Sequence, residues 1–170
     1  MDNRPWYGYL VAESDALLVL HQVSDRYELD GYVAFRRQQI SEISEDFERA
    51  DLIRSALRLK DLDPRCPRAL ELSSMSALMA SAQAQFGVLV IAREGVSDDE
   101  VEVGRLRLES ATHYVLRWLD INAHWTNDDR RFRFADVTRL EFGCEYEQTL
   151  MRVAEARDLD QGRGQAKSVD

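Results

Sequence analysis

Residues 8–25 read GYLVAESDALLVLHQVSD, and residues 104–121 read GRLRLESATHYVLRWLDI. Gly8 falls on Gly104, Leu10 on Leu106, Glu13 on Glu109, Ser14 on Ser110, Val19 on Val115 and Leu20 on Leu116. After one inserted residue a second block matches, FRRQQISEI at 35–43 against FRFADVTRL at 132–140. Phe35 meets Phe132 and Arg36 meets Arg133, while Ile40, Ser41 and Ile43 meet Val137, Thr138 and Leu140. Matches held in step across two separated blocks mark a duplicated module. Each copy consists of short apolar runs and tight turns, which predicts a small, strongly bent antiparallel β unit present twice.

Outward from the repeat, Trp6 to Ala12 reads as a strand, Glu13-Ser14-Asp15 as a turn, and Ala16 to Val23 as a strand buried on both faces. Leu29-Asp30-Gly31 is a second turn signal before Tyr32 to Arg36. From Ser44 the apolar spacing turns helical, with Phe47, Ala50, Ile53 and Leu57 in one stripe and Glu45, Asp46 and Glu48 at the favourable N-terminal end. Pro64 and Pro67 stop that helix. Ser73 or Ser74 caps a second one, whose stripe is Met75, Leu78, Met79, Ala82 and Phe86, ending at Gly87.

Val88 to Ala92 reads as a strand, and Gly95 to Glu100 as an acidic loop. The apolar phase switches between Val103 and Leu106, which predicts a β-bulge at Gly104. Strands are expected over His113 to Ile121, Arg130 to Phe134 and Val137 to Phe142, with a loop from Asn122 to Asp129 and a last helix over Glu145 to Arg157. The expected organisation is a first β module over 1–43, a helical connecting segment over 44–87, a second β module with its C-terminal helix over 88–157, and a disordered tail over 158–170.

The module resembles the Sm-like barrel superfamily. The residues that carry the likeness are Gly8 and Leu10 in the first strand, the Ser14-Asp15 turn, the Leu17 to Leu20 strand, and Gly31 to Arg36 followed by Ile40 and Ile43. Gly104 to Leu140 is similar, and the whole chain resembles bacterial proteins with two Sm-like modules around a helical middle. That resemblance implies an α+β, mostly β protein: two small antiparallel Sm-like barrels joined by two helices, plus a C-terminal helix. The superfamily's Arg-Gly pair is Arg36-Arg37 in one module and Arg133-Phe134 in the other, so the arginine occurs twice and the glycine never.

Charge limits the partners. The chain carries a net charge of −9, with the acidic excess concentrated in residues 1–50 and 73–103. Long-range attraction to nucleic acid is therefore not expected from the molecule as a whole. No apolar run is long enough to span a bilayer. The N-terminus has neither a basic start nor an apolar signal core, so the expected location is cytoplasmic, with no membrane partner. Cys66 and Cys144 are too isolated for a disulfide framework or a zinc site, and no cofactor or metal is expected.

The histidines, His21, His113 and His124, are scattered without carboxylates at ligand spacing, and no nucleophile elbow or phosphate-binding glycine pattern occurs. The chain thus reads as a non-catalytic interaction protein that binds a protein partner, or itself, through β edges. The alternative is single-stranded RNA binding by arginines and aromatics: Tyr32, Arg36, Arg37, Trp125, Arg130, Arg131 and Arg133.

Overall fold

The computed structural model describes residues 5–96, 101–126 and 130–166. Its strands are β1 (Gly8–Glu13), β2 (Leu17–Val23), β3 (Leu29–Arg36), β4 (Leu89–Ala92), β5 (Val101–Leu108), β6 (His113–Trp118), β7 (Arg130–Arg133) and β8 (Arg139–Phe142). The helices are α1 (Ala50–Leu59), α2 (Met75–Phe86) and α3 (Glu145–Ala166). All strand pairs are antiparallel, and the strands lie in one sheet in the order β1-β2-β3-β8-β4-β5-β6-β7.

The repeat survives at the level of single hydrogen bonds. Gly8, Tyr9 and Leu10 face Gln22, His21 and Leu20, as Gly104, Arg105 and Leu106 face Trp118, Arg117 and Leu116. Leu17, Leu18, Val19 and Leu20 face Arg36, Phe35, Ala34 and Val33, as His113, Tyr114, Val115 and Leu116 face Arg133, Phe132, Arg131 and Arg130. The turn serine does the same work twice. Ser14 Oγ accepts from the Leu17 amide at 3.2 Å, and Ser110 Oγ accepts from the His113 amide at 3.0 Å. Each third strand runs into a 3-10 turn, Arg37–Gln39 or Phe134–Asp136, pinned by Arg37 N–H to Ala16 O and by Phe134 N–H to Thr112 O.

The glycine that opens each module is there for space. A Cβ on Gly8 would lie 2.6 Å from His21 O, and one on Gly104 would strike Arg117 O, the matching atom. No register shift occurs at Gly104. The bulge expected there is instead in the first module, between Leu10 and Ala12. Gly104 absorbs the change of apolar phase because the strand is buried on both faces at that point, with Glu102, Val103 and Gly104 all inside.

The two modules do not stand as separate barrels: their strands share one open sheet whose ends are β1 and β7. The physical reason is the core. One cluster joins Leu17, Val19 and Ala34 of the first module to Leu106, Leu116, Phe134, Val137, Leu140 and Phe142 of the second, beneath Met75, Leu78, Met79 and Ala82 of α2. A module of roughly 50 residues is marginal alone, and pooling the apolar faces under one helix solves that problem for both. Two smaller clusters hold the other helices. α1 packs Ile53 and Leu57 on Val23 with Tyr7, Tyr9 and Leu29, and α3 packs Ala154 on Val90, Val103 and Leu119.

Local expectations fared unevenly. Ser74 caps α2, its Oγ accepting from the Ala77 amide at 3.1 Å, and Gly87 ends it at φ +82. The first helix begins at Ala50 rather than Ser44, because Ser44 Oγ donates to Asp46 O and leaves the helix amides uncapped. Asp30-Gly31 is not a turn. It lies within β3, and Gly31 takes φ +64 because the Cys144 backbone sits where a side chain would go. β6 stops at Trp118, and α3 runs past Arg157 to Ala166. Parts of the expected acidic loop (97–100), of the 122–129 loop (127–129) and of the tail (167–170) lie outside the described residues.

Candidate interaction edges

An antiparallel sheet with two ends presents backbone donors and acceptors that its own strands do not use. Among the described residues, β1 pairs with β2 alone and β7 with β6 alone. The duplication makes these edges informative, because each has an internal counterpart that is covered. The counterpart of β1 is β5, whose outer side pairs with β4 over Val101 to Gly104. Beyond Gly104 the side-chain amide of Gln83 takes over, bonding the backbone of Leu106. On β1 the matching Leu10 is 52 % exposed.

The counterpart of β7 is β3, whose outer side pairs with β8: Tyr32, Val33, Ala34 and Phe35 face Phe142, Glu141, Leu140 and Arg139. The Arg36 amide continues that ladder to Thr138 O. Its side chain clasps the second module's 3-10 turn, Nη2 donating to Phe134 O at 2.5 Å and Nε to Val137 O at 2.7 Å. This fork on two carbonyls accounts for one of the two matching arginines. The other, Arg133, is exposed on β7.

The predicted arginine and aromatic residues are not brought together. Tyr32 is half-buried in an aromatic stack, 4.4 Å from the His21 ring and 5.5 Å from Phe142, and burial raises its hydroxyl pKa. Arg36 is the inter-module clasp, and Arg37 pairs with Glu13 at 2.7 Å. Trp125 has two guanidiniums over its ring, Arg105 at 4.9 Å and Arg117 at 5.0 Å. Arg130 lies over Trp118 at 4.6 Å and 3.7 Å from Glu102, while Arg131 pairs with Glu109 at 2.5 Å. Arg130, Arg131 and Arg133 do share the β7 edge.

Other titratable groups have local roles. His21 accepts from the Arg65 amide at 3.1 Å, and burial lowers its pKa. Asp120 accepts from the His124 and Asn122 amides, which holds its carboxyl below the ordinary value. Glu147, buried at the start of α3, accepts from the Cys144 amide at 2.6 Å, and burial pushes its carboxyl up to about 7. Cys144 is buried and Cys66 exposed, and both are free thiols. An open groove of about 750 Å³ runs between the β2–β3 connection and α3, past Asp25, Arg26, Asp30 and Glu145. Among the described residues no group of three or more His, Cys, Asp or Glu is placed to hold a metal ion, and no helix is long and apolar enough to cross a membrane.

No family model, curated protein or solved structure matches the chain. The edges therefore have to be read from their own chemistry. Sequence reasoning matched Ile43 to Leu140 but did not single it out as a contact residue, and it is 66 % exposed. The signal was present in the alignment, since Ile43 falls on Leu140, a residue of the buried core.

Proposed function

We propose that the chain is a tandem Sm-like interaction protein, non-catalytic, which binds protein through the free edges of its sheet. One observation carries this reading: among the described residues no strand pairs with the outer side of β1 or β7, whereas β3 is covered by β8, and the stretch of β5 equivalent to β1 is met at Gly104 by β4 and at Leu106 by Gln83. An added strand gains main-chain hydrogen bonds along the edge and side-chain contacts at alternate positions. The Sm-like assignment rests on the order within each module, three antiparallel strands followed by a 3-10 turn, together with the opening glycine and the turn serine.

The test is affinity purification of the full chain from its native cells, with bound protein and nucleic acid both identified. Bound protein is expected, and it is lost when an edge is blocked by Leu10→Lys on β1 or Arg131→Pro on β7. Recovery of nucleic acid without protein, or of protein indifferent to both blocks, overturns the reading.

A further inference from the structure

The duplication takes in helices as well as strands. At the spacing that separates Phe35 from Phe132, Ile53, Leu57 and Lys60 fall on Leu150, Ala154 and Arg157. The packing agrees. α1 sets Ile53 and Leu57 against Val23 and Leu29, and α3 sets Leu150 and Ala154 against their matches, Leu119 and Trp125. The turn beneath each helix is also the same: Tyr27 and Ala123 take φ +56 and +58, and the amides of Glu28 and His124 donate to Ser24 Oγ and Asp120 Oδ1.

One contact differs in kind. In the first module Lys60 Nζ donates to Arg26 O at 2.8 Å and to the Glu28 carboxylate at 2.9 Å. In the second, Arg157 Nη1 donates to Asn122 O, the matching carbonyl, and to His124 Nε2 at 3.3 Å. A histidine thus stands where the carboxylate stood. Among the described residues no carboxylate pairs with Arg157, nor with Arg117, which is exposed and lies over the Trp125 ring at 5.0 Å.

The same place is hollow. Ala123 and Ala154 replace the larger Tyr27 and Leu57, and they line a pocket of about 230 Å³ together with Arg117, His124, Trp125, Arg157 and Asp158. Two guanidiniums therefore meet there against one carboxylate, the exposed Asp158. Arg105, which also lies over Trp125, is already paired with Glu155 at 2.7 Å. The Nε and Nη2 groups of Arg157 and every donor of Arg117 bond to no described residue.

We infer that this pocket binds the carboxylate of a small organic acid, in the place that the Glu28 side chain fills in the first module. None of these residues lies on β1 or β7, so the site is independent of the edge-binding reading. A guanidinium matches a carboxylate with two parallel N–H bonds, and Ala123, Ala154 and Trp125 line the space for the carbon atoms. The volume is below the roughly 300–1,000 Å³ of pockets for drug-sized ligands, so the acid is short. Asp158 and the net charge of −9 oppose a phosphate dianion more than a monoanion.

Proton–nitrogen correlation NMR of the full chain at constant ionic strength tests this. Butyrate is the probe, butyramide its uncharged analogue and inorganic phosphate the competing anion. Butyrate is expected to shift the Trp125 indole N–H and the amides of Ala123 and His124, saturating at millimolar concentration, and butyramide to leave them in place. Arg117→Gln, which alters an exposed side chain, should weaken binding about tenfold, the loss of one charge-assisted pair. His124→Glu restores the arrangement of the first module, supplies the carboxylate from the chain itself and should abolish binding while raising the Tm. A dispersed spectrum checks that each variant is folded, and the comparison of the three probes on the wild type depends on neither variant.

Butyrate shifts that never saturate, or that butyramide reproduces, overturn the inference. Saturable binding that both variants keep also overturns it and places the acid elsewhere. Phosphate binding tighter than that of butyrate overturns the assignment to a carboxylate.

Discussion

The side-chain amide of Gln83 bonds both backbone groups of Leu106: Nε2 donates to the carbonyl at 2.9 Å, and Oε1 accepts from the amide at 2.5 Å. A residue of α2 thus takes the place of a neighbouring strand where β4 has ended, and it fastens the helix to the sheet. Part-buried backbone groups left without partners cost about 1–3 kcal/mol. Gln83→Leu keeps the volume and removes both bonds, so its unfolding free energy in urea should fall by about 2 kcal/mol. A loss below about 0.5 kcal/mol would show that solvent reaches these groups instead.

Arg36 and Arg133 occupy one position of the repeat and should respond differently to substitution. Arg36 spans the modules with a charged fork on two carbonyls, and hydrogen bonds to charged groups contribute about 1.5–3 kcal/mol. Arg36→Ala should destabilise by about 3 kcal/mol, and Arg36→Lys by less, because a lysine keeps a charged donor for one carbonyl although it cannot reproduce the planar fork on both. In dilute protein, Arg133→Ala should change stability by no more than about 0.5 kcal/mol. Thermal melts of the three variants at low concentration check the contrast.

Glu147 links stability to pH. Its side chain is 1 % exposed, and burial, aided by the nearby Glu141 charge, raises its carboxyl from the ordinary 4.5 to about 7; the Cys144 amide opposes that rise. The folded state therefore holds a proton that the unfolded chain releases across this window. The associated stability, on the order of 3 kcal/mol, is fully present below pH 4.5 and is lost as pH rises through 7. Urea midpoints from pH 5 to 8 should fall with pH in the wild type. Glu147→Gln keeps an acceptor for the Cys144 amide and should flatten that trend. A wild type whose midpoint rises over the same range would refute it.

Of the arginines predicted for RNA contact, Arg37, Arg130 and Arg131 pair with Glu13, Glu102 and Glu109, Arg36 is held on backbone carbonyls, and Trp125 already has guanidiniums over its ring. A fluorescence titration with single-stranded RNA at low salt, where electrostatic binding is strongest, should be flat. Saturable binding that weakens steeply with added salt would contradict this expectation.

Much of each module was legible in the primary structure because its determinants are local. Gly8 and Gly104 mark where one strand crosses close to another, Ser14 and Ser110 tie the first turn, and the inserted residue falls in the connection before the third strand. The cap of α2 was equally local. Where nearest neighbours in sequence were misleading, the deciding atom came from far away: Cys144 holds Gly31 inside a strand, and Arg117 O explains Gly104 without a bulge. The assignment of the last strand was the furthest from view. Ile40 to Ile43 and Val137 to Leu140 are near-twins, yet only the second becomes a strand, and it does so on the other module. That choice depends on which edge is within reach and on burial beneath α2, where Leu140 finds Leu17, Ala34 and Met79 and Ile43 finds water. Pairing partners and a shared core are properties of the folded whole, and no window of local sequence contains them.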